Sequence, residues 1–107
     1  MDKKKIKDII PFVKRAKKTF TRCQIILFGS YAYGKPHKDS DFDILIISTS
    51  FQGVDLEERI SWAFNLKRDL PIAMDIICLT PREMKEDHRL DMIGEVLRRG
   101  VDITSIA

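Results

Sequence analysis

Asp41, Asp43 and Asp75 are the acids of this chain whose placement suggests chemistry. Asp41-Phe42-Asp43 opens an apolar run that continues to Ile47, which reads as two carboxylates at the start of a strand. Side chains two apart on a strand share a face, so both carboxylates are aimed at one site. Like charges held side by side are unfavourable unless a cation sits between them. Hard oxygen ligands of this kind suit Mg²⁺ or Mn²⁺, with substrate phosphates completing the shell. Asp75 is a lone acid inside the apolar run 72–79. A carboxylate there is expensive unless it is paired or bound to metal, or else faces solvent at a strand end. If its strand lies beside the one that follows Asp41, all three acids can share a site.

An Asp-x-Asp pair means little alone. The chain has eleven Asp, and Asp39-Ser40-Asp41 is a second match, read here as turn or cap chemistry at Asp39. The context upstream carries the signal. Gly29-Ser30 closes a short apolar run and opens the segment 31–33, which Gly34 ends. Glycine lets the backbone approach a ligand closely, and a serine at a helix start offers a hydroxyl and N–H groups to phosphate oxygens. A simple helix cap is the plainer alternative. Three carboxylates, a divalent metal and a phosphate-holding turn together describe phosphoryl or nucleotidyl transfer. Two metal ions would clamp the attacking and leaving oxygens, and positioning and charge neutralisation would do the rest.

The elements that must hold these residues follow from periodicity. Ile6, Ile9, Ile10, Val13, Ala16 and Phe20 recur at helical steps. Pro11 either kinks that helix or lies in its first turn with Asp8 as cap. Residues 24–28 and 42–47 are continuous apolar strands, suited to a sheet covered on most of its surface. Asp55 offers a helix cap with Glu58 three residues on, and Leu56, Ile60, Ala63 and Phe64 form the expected apolar face. That helix ends before Pro71. Residues 72–79 are a third strand. Thr80-Pro81-Arg82-Glu83 starts a helix that runs or breaks on the way to Arg98-Arg99-Gly100, and 101–103 reads as a short last strand.

The expected fold class is therefore α/β, or α+β: a small mixed β-sheet with helices packed on it, in one domain over 1–107. The direction of the first two strands relative to each other stays open.

Bulk properties narrow the function. The chain is 44% hydrophobic and 33% charged, as folded domains are. No apolar run approaches the ~20 residues of a membrane span, and the start lacks a signal peptide's apolar core, so a cytoplasmic, membrane-free location is expected. Cys23 and Cys78 have neither metal nor redox spacing; Cys78 reads as a buried hydrophobe. The net charge of +3 is divided as +7 over 1–22 and −4 over 23–107. Such a basic arm suits nucleic acid, nucleotide phosphates or an acidic protein, or is a solvated helix face. The total is too small for strong duplex binding. His37 and His88 read as surface histidines, and Tyr31 and Tyr33 either stack near a base or pack on the sheet.

Gly29-Ser30, Gly34, Ser40-Asp41-Phe42-Asp43 and the later Asp75 resemble the DNA polymerase beta-like nucleotidyltransferase superfamily, and the size resembles its minimal, antitoxin-type members. The resemblance implies that Gly29 and Ser30 hold a triphosphate, that Asp41 and Asp43 bind Mg²⁺, and that Asp75 completes the metal site and helps deprotonate or orient the acceptor hydroxyl. Many relatives place an arginine where Tyr33 stands; the departure leaves one phosphate contact open and spares the metal ligands. It further implies a HEPN-type partner and transfer of AMP from ATP to a tyrosine of that partner. With no room for a second domain, the site would be finished by another protein or another copy in a homo- or hetero-oligomer. The alternatives are a non-catalytic antitoxin acting by contact, and nucleotidyl transfer to a small molecule or an RNA end.

Overall fold

A computed structural model of the chain describes residues 3–33, 41–86 and 91–107. Gly34, His37, Asp39 and His88 lie outside the described residues. Two short helices, α1 (Lys3–Asp8) and α2 (Ile10–Thr19), precede β1 (Gln24–Phe28) and the one-turn helix α3 (Ser30–Tyr33). β2 (Phe42–Ile47), α4 (Leu56–Lys67) and β3 (Met74–Leu79) follow, then α5 (Pro81–Glu86), α6 (Asp91–Arg99) and the two-residue β4 (Val101–Asp102). The sheet order is β3-β2-β1-β4. β1 is antiparallel to β2 and to β4, while β2 and β3 are parallel across the α4 connection. The sheet is thus mixed, with helices packed on it, as expected, and the open question of strand direction resolves as antiparallel.

Each strand splits its side chains between two layers. Ile25, Leu27, Phe42, Ile44, Ile46, Met74, Ile76 and Cys78 meet α2, Phe51 and Ala63 of α4 in the main core. The alternate residues Ile26, Leu45 and Ile47 meet Val96 of α6, with Phe28, Ile77, Leu79 and Met84 at the margin. Both faces of the central strands are covered, which is why the sequence shows runs rather than alternation. Burial pushes the Cys78 thiol up to about 12.

Some local expectations change. α1 ends at Asp8 and α2 begins afresh, with Ile9 at the cap position and Pro11 in the first turn. Asp8 is therefore not the cap, and the proline sits where its missing N–H is harmless. Asp55 does stand at the cap of α4 but makes no side-chain cap hydrogen bond. Thr80 caps α5 as expected: Glu83 N donates to its Oγ1 at 3.1 Å, and Thr80 N donates to Glu83 Oε1 at 2.7 Å. Gly100 follows α6, but its φ is not in the left-handed region. Its service is space: a Cβ there would meet Val96 O and lie 2.6 Å from Ile26 Cγ2.

The expected apolar face of α4 is the largest correction. Ala63 is buried, but Leu56, Ile60 and Phe64 are exposed. The helix turns Arg59 inward instead, 5% exposed. Its Nε donates to Val54 O at 2.8 Å, and its Nη1 donates to Cys78 O at 3.2 Å and to Glu83 Oε1 at 2.7 Å. Arg59 thereby ties α4 to the end of β3 and the start of α5. Arg59→Ala is expected to destabilise the fold by about 3 kcal/mol, because carbonyls and a carboxylate lose their partner together. Denaturant unfolding measures this, and a change under about 1 kcal/mol would contradict it.

The same pair predicts a pH dependence. Its hydrogen bond from Arg59 holds the Glu83 carboxyl below its ordinary value of 4.5. A depressed carboxylate stabilises the fold above that value and loses the contribution as pH falls through its folded value. The melting temperatures of the native chain and Glu83→Gln should therefore converge between about pH 6 and about pH 3.

Candidate functional site

The parallel pairing of β2 with β3 sets Asp43 directly beside Asp75. Both belong to the strand positions of the second layer, at the end where β2 and β3 begin. Asp41 precedes β2 by one residue, and its position two before Asp43 gives it the same parity. On the other side, antiparallel pairing sets Phe28 opposite Asp43, so the turn that follows β1 arrives at the same carboxylate. The structure thus brings Gly29, Asp41, Asp43 and Asp75 to one end of the sheet.

Gly29 has φ +74°, a left-handed value that glycine adopts without strain. A Cβ on it would collide with the Asp43 carboxylate. This contact is absent from any sequence pattern, because it depends on the β1–β2 register. Ser30 begins α3, and Ala32 N donates to Gly29 O at 3.0 Å, closing the turn. Ser30 is half-buried, at the mouth of that turn. Tyr31 is not at the mouth: it is buried and stacked on Phe42, ring centroids 4.3 Å apart.

Asp75 is exposed, so the cost of burying a charge does not govern it. Electrostatics falls on Asp43 instead. Burial pushes its carboxyl up first, then the charges of Asp75 and Asp41, and then a hydrogen bond with Asp75. Every one of these influences opposes ionisation, which is the condition a cation relieves. The donor set is oxygen only, as Mg²⁺ requires. Among the described residues no group of three His, Cys, Asp or Glu side chains that could hold a metal ion by itself is present. The fit to Mg²⁺ rests on the all-oxygen donor chemistry of Asp41, Asp43 and Asp75.

A concavity lined by Thr49, Gln52, Gly53, Arg59, Thr80 and Glu83 among others lies where β2 and β3 end. It is at the opposite end of the strands from the three acids. Its Arg59 and Glu83 already satisfy each other.

A mixed four-stranded sheet with carboxylates at the paired starts of two parallel strands defines the class. The chain belongs to the nucleotidyltransferase domain family, whose model matches residues 6–103. It is a minimal nucleotidyltransferase. Among its relatives, the "Putative protein adenylyltransferase MJ0141" of Methanocaldococcus jannaschii is 29% identical over 105 residues, spanning 90% of this chain and 99% of that one. Two solved structures share the fold. A mutant of the toxin–antitoxin MntA–HpeT aligns over 95% of this chain and 72% of its own, with TM-score 0.57 and 22% identity. A "putative nucleotidyltransferase" aligns over 92% of this chain and 97% of its own, with TM-score 0.55 and 22% identity. No helix among the described residues is long and apolar enough to cross a membrane.

Proposed function

We propose that this nucleotidyltransferase transfers AMP from ATP to a tyrosine of a HEPN-type toxin, acting as the antitoxin of the pair. The observation that carries the chemistry is the Asp43–Asp75 pairing in register, with Asp41 two residues before Asp43 and Gly29 packed against it. The protein target is supported by the whole-length likeness to a relative named for protein adenylylation. The toxin–antitoxin setting is supported by the fold shared with MntA–HpeT.

Asp41, Asp43 and Asp75 would hold Mg²⁺, which when bound neutralises the triphosphate and stabilises charge on the attacking and leaving oxygens. Gly29 and Ser30 would hold the triphosphate through backbone N–H groups and the Ser30 hydroxyl. Asp75, the exposed member, would orient the incoming hydroxyl. The acceptor oxygen attacks the α-phosphorus and gives its proton to Asp75 or water. The bond from that phosphorus to the oxygen bridging the β-phosphate breaks, and pyrophosphate leaves with the electron pair.

The test is intact-mass analysis of the neighbouring gene's product after incubation with ATP, Mg²⁺ and this protein. The expected result is a gain of whole AMP units, lost when the acceptor tyrosine is changed to phenylalanine. A partner neutralised without any mass change would instead support inhibition by contact. Adenylylation of an RNA end or a small molecule, with the partner untouched, would redirect the reading.

A further inference from the structure

The misplaced apolar stripe of α4 has a consequence beyond catalysis. Leu56, Ile60 and Phe64 stand at i, i+4 and i+8, on one flank of the helix, at 58%, 37% and 39% exposure. They are half of the six large hydrophobics that are exposed among the described residues. Solitary exposed hydrophobics are ordinary, but a helical row of three marks a contact surface.

The neighbours of α4 fix where that row points. Arg59 and Ala63 face the sheet. Arg15 of α2 donates to Leu66 O at 2.8 Å, and Thr19 shares a groove with Ser61, Trp62, Asn65 and Leu66. The stripe occupies the flank away from α2, beyond β3, the edge strand of the sheet. That edge is itself blunted. Ala73 O and Leu79 O accept from β2 and its extension, so the even-numbered carbonyls of this segment face outward. Of these, Ile72 O accepts from Lys67 Nζ at 2.7 Å and Cys78 O from Arg59 Nη1 at 3.2 Å. Lys67 and Arg59 thus cover the two ends of this edge, while Met74 O and Ile76 O face outward between them.

We propose that the occupant is a second copy of this chain, packed α4 against α4 in antiparallel fashion about a two-fold axis near Ile60. Such an axis sets Ile60 on its mate and Leu56 of each copy beside Phe64 of the other, so the row is its own complement. Charge favours the same arrangement. On the side of α4 that carries the row, the helix starts with Glu57 and is followed by Arg68; Glu58 is on the far side, and Lys67 Nζ is held by Ile72 O. Antiparallel packing lays the acidic end of each helix along the basic end of the other, and parallel packing would oppose like charges. The acids of the candidate site lie in the other layer, so two copies joined here keep both sites open.

Sedimentation equilibrium of the full chain, between about 5 and about 300 µM, tests this in the range where a small interface associates. The expected result is a mass rising from monomer toward dimer, with Ile60→Glu weakening association at least ~10-fold at unchanged far-UV circular dichroism. Oxidation of Ile60→Cys should also give a disulfide-linked dimer, which the native chain with Cys23 and Cys78 does not. A native chain that stays monomeric throughout overturns the proposal and leaves the stripe to a different protein. So does a dimer indifferent to Ile60→Glu that Ile60→Cys fails to cross-link.

Discussion

Asp43→Asn should abolish nucleotidyl transfer, lowering the rate by about 10³-fold or more, while leaving the fold intact or firmer. The carboxylate is flanked by Asp75 in register on β3 and by Asp41 two residues before it. Asparagine keeps the shape but removes the negative charge with which Asp43 would hold the proposed metal, and with it part of the charge stabilisation that metal would supply to the transition state. Stability moves the other way. Burial and the two neighbouring acids push the Asp43 carboxyl up. A carboxyl raised in the folded state favours folding below its unfolded value and opposes it as pH rises past that value. In metal-free buffer near neutral pH the variant should therefore melt no lower than the native chain. Added Mg²⁺ should raise the melting temperature of the native chain more than that of the variant. A variant that melts lower and transfers normally would contradict both halves.

Gly29→Ala should be nearly as damaging, for a geometric reason. The residue has φ +74°, where a Cβ costs roughly 1–2 kcal/mol. The added methyl also collides with the Asp43 carboxylate, so either the turn or the acid must move. A displacement on the order of 1 Å in a positioned group can cost ~10²-fold in rate. The expected result is a fall of that size in transfer, with a modest drop in melting temperature. Gly53 supplies the internal control. It has the same φ of +74°, but a Cβ there meets nothing within 4 Å. Gly53→Ala should show the backbone strain in its melting temperature and leave transfer unchanged. Equal losses of activity in the two variants would show that strain alone, rather than contact with Asp43, explains Gly29.

Much of this architecture was legible before any coordinates. The strands around Phe42 and Asp75 read correctly because continuous β-branched runs bounded by turn residues have few other uses. The Thr80–Glu83 capping box read correctly because its hydrogen bonds are local and its spacing is fixed. The convergence of Asp43 with Asp75 could only be stated as a condition. Thirty-one residues lie between them, and nothing local says that β3 lies parallel to β2 rather than elsewhere. The contact of Gly29 with Asp43 was hidden for the same reason. Asp75 was singled out on the cost of burial, yet it is exposed; its position in register beside Asp43 is what the sheet supplies.

α4 was misread for a different reason. Leu56, Ile60, Ala63 and Phe64 form a helical apolar pattern, and such patterns usually face a core. Here a buried arginine takes the inward position beside Ala63, because Arg59 finds Val54 O just ahead of α4, Cys78 O near the end of β3 and the Glu83 carboxylate of α5. Hydropathy scores an arginine as outward and cannot see partners that tertiary structure provides. The leftover stripe is then free for association, which periodicity alone had assigned to the core.

The three acids and the glycine turn meet at one end of the sheet, and the proposed chemistry requires them to act together in moving a nucleotide. The most direct measurement uses ATP labelled at the α-phosphate in parallel with ATP labelled at the γ-phosphate. Each is incubated with Mg²⁺, this protein and the product of its neighbouring gene, beside the Asp41→Asn/Asp43→Asn variant. The expected result is label on the partner from the α-position only, and none with the variant. Label from the γ-position, or transfer that survives loss of both carboxylates, would contradict it.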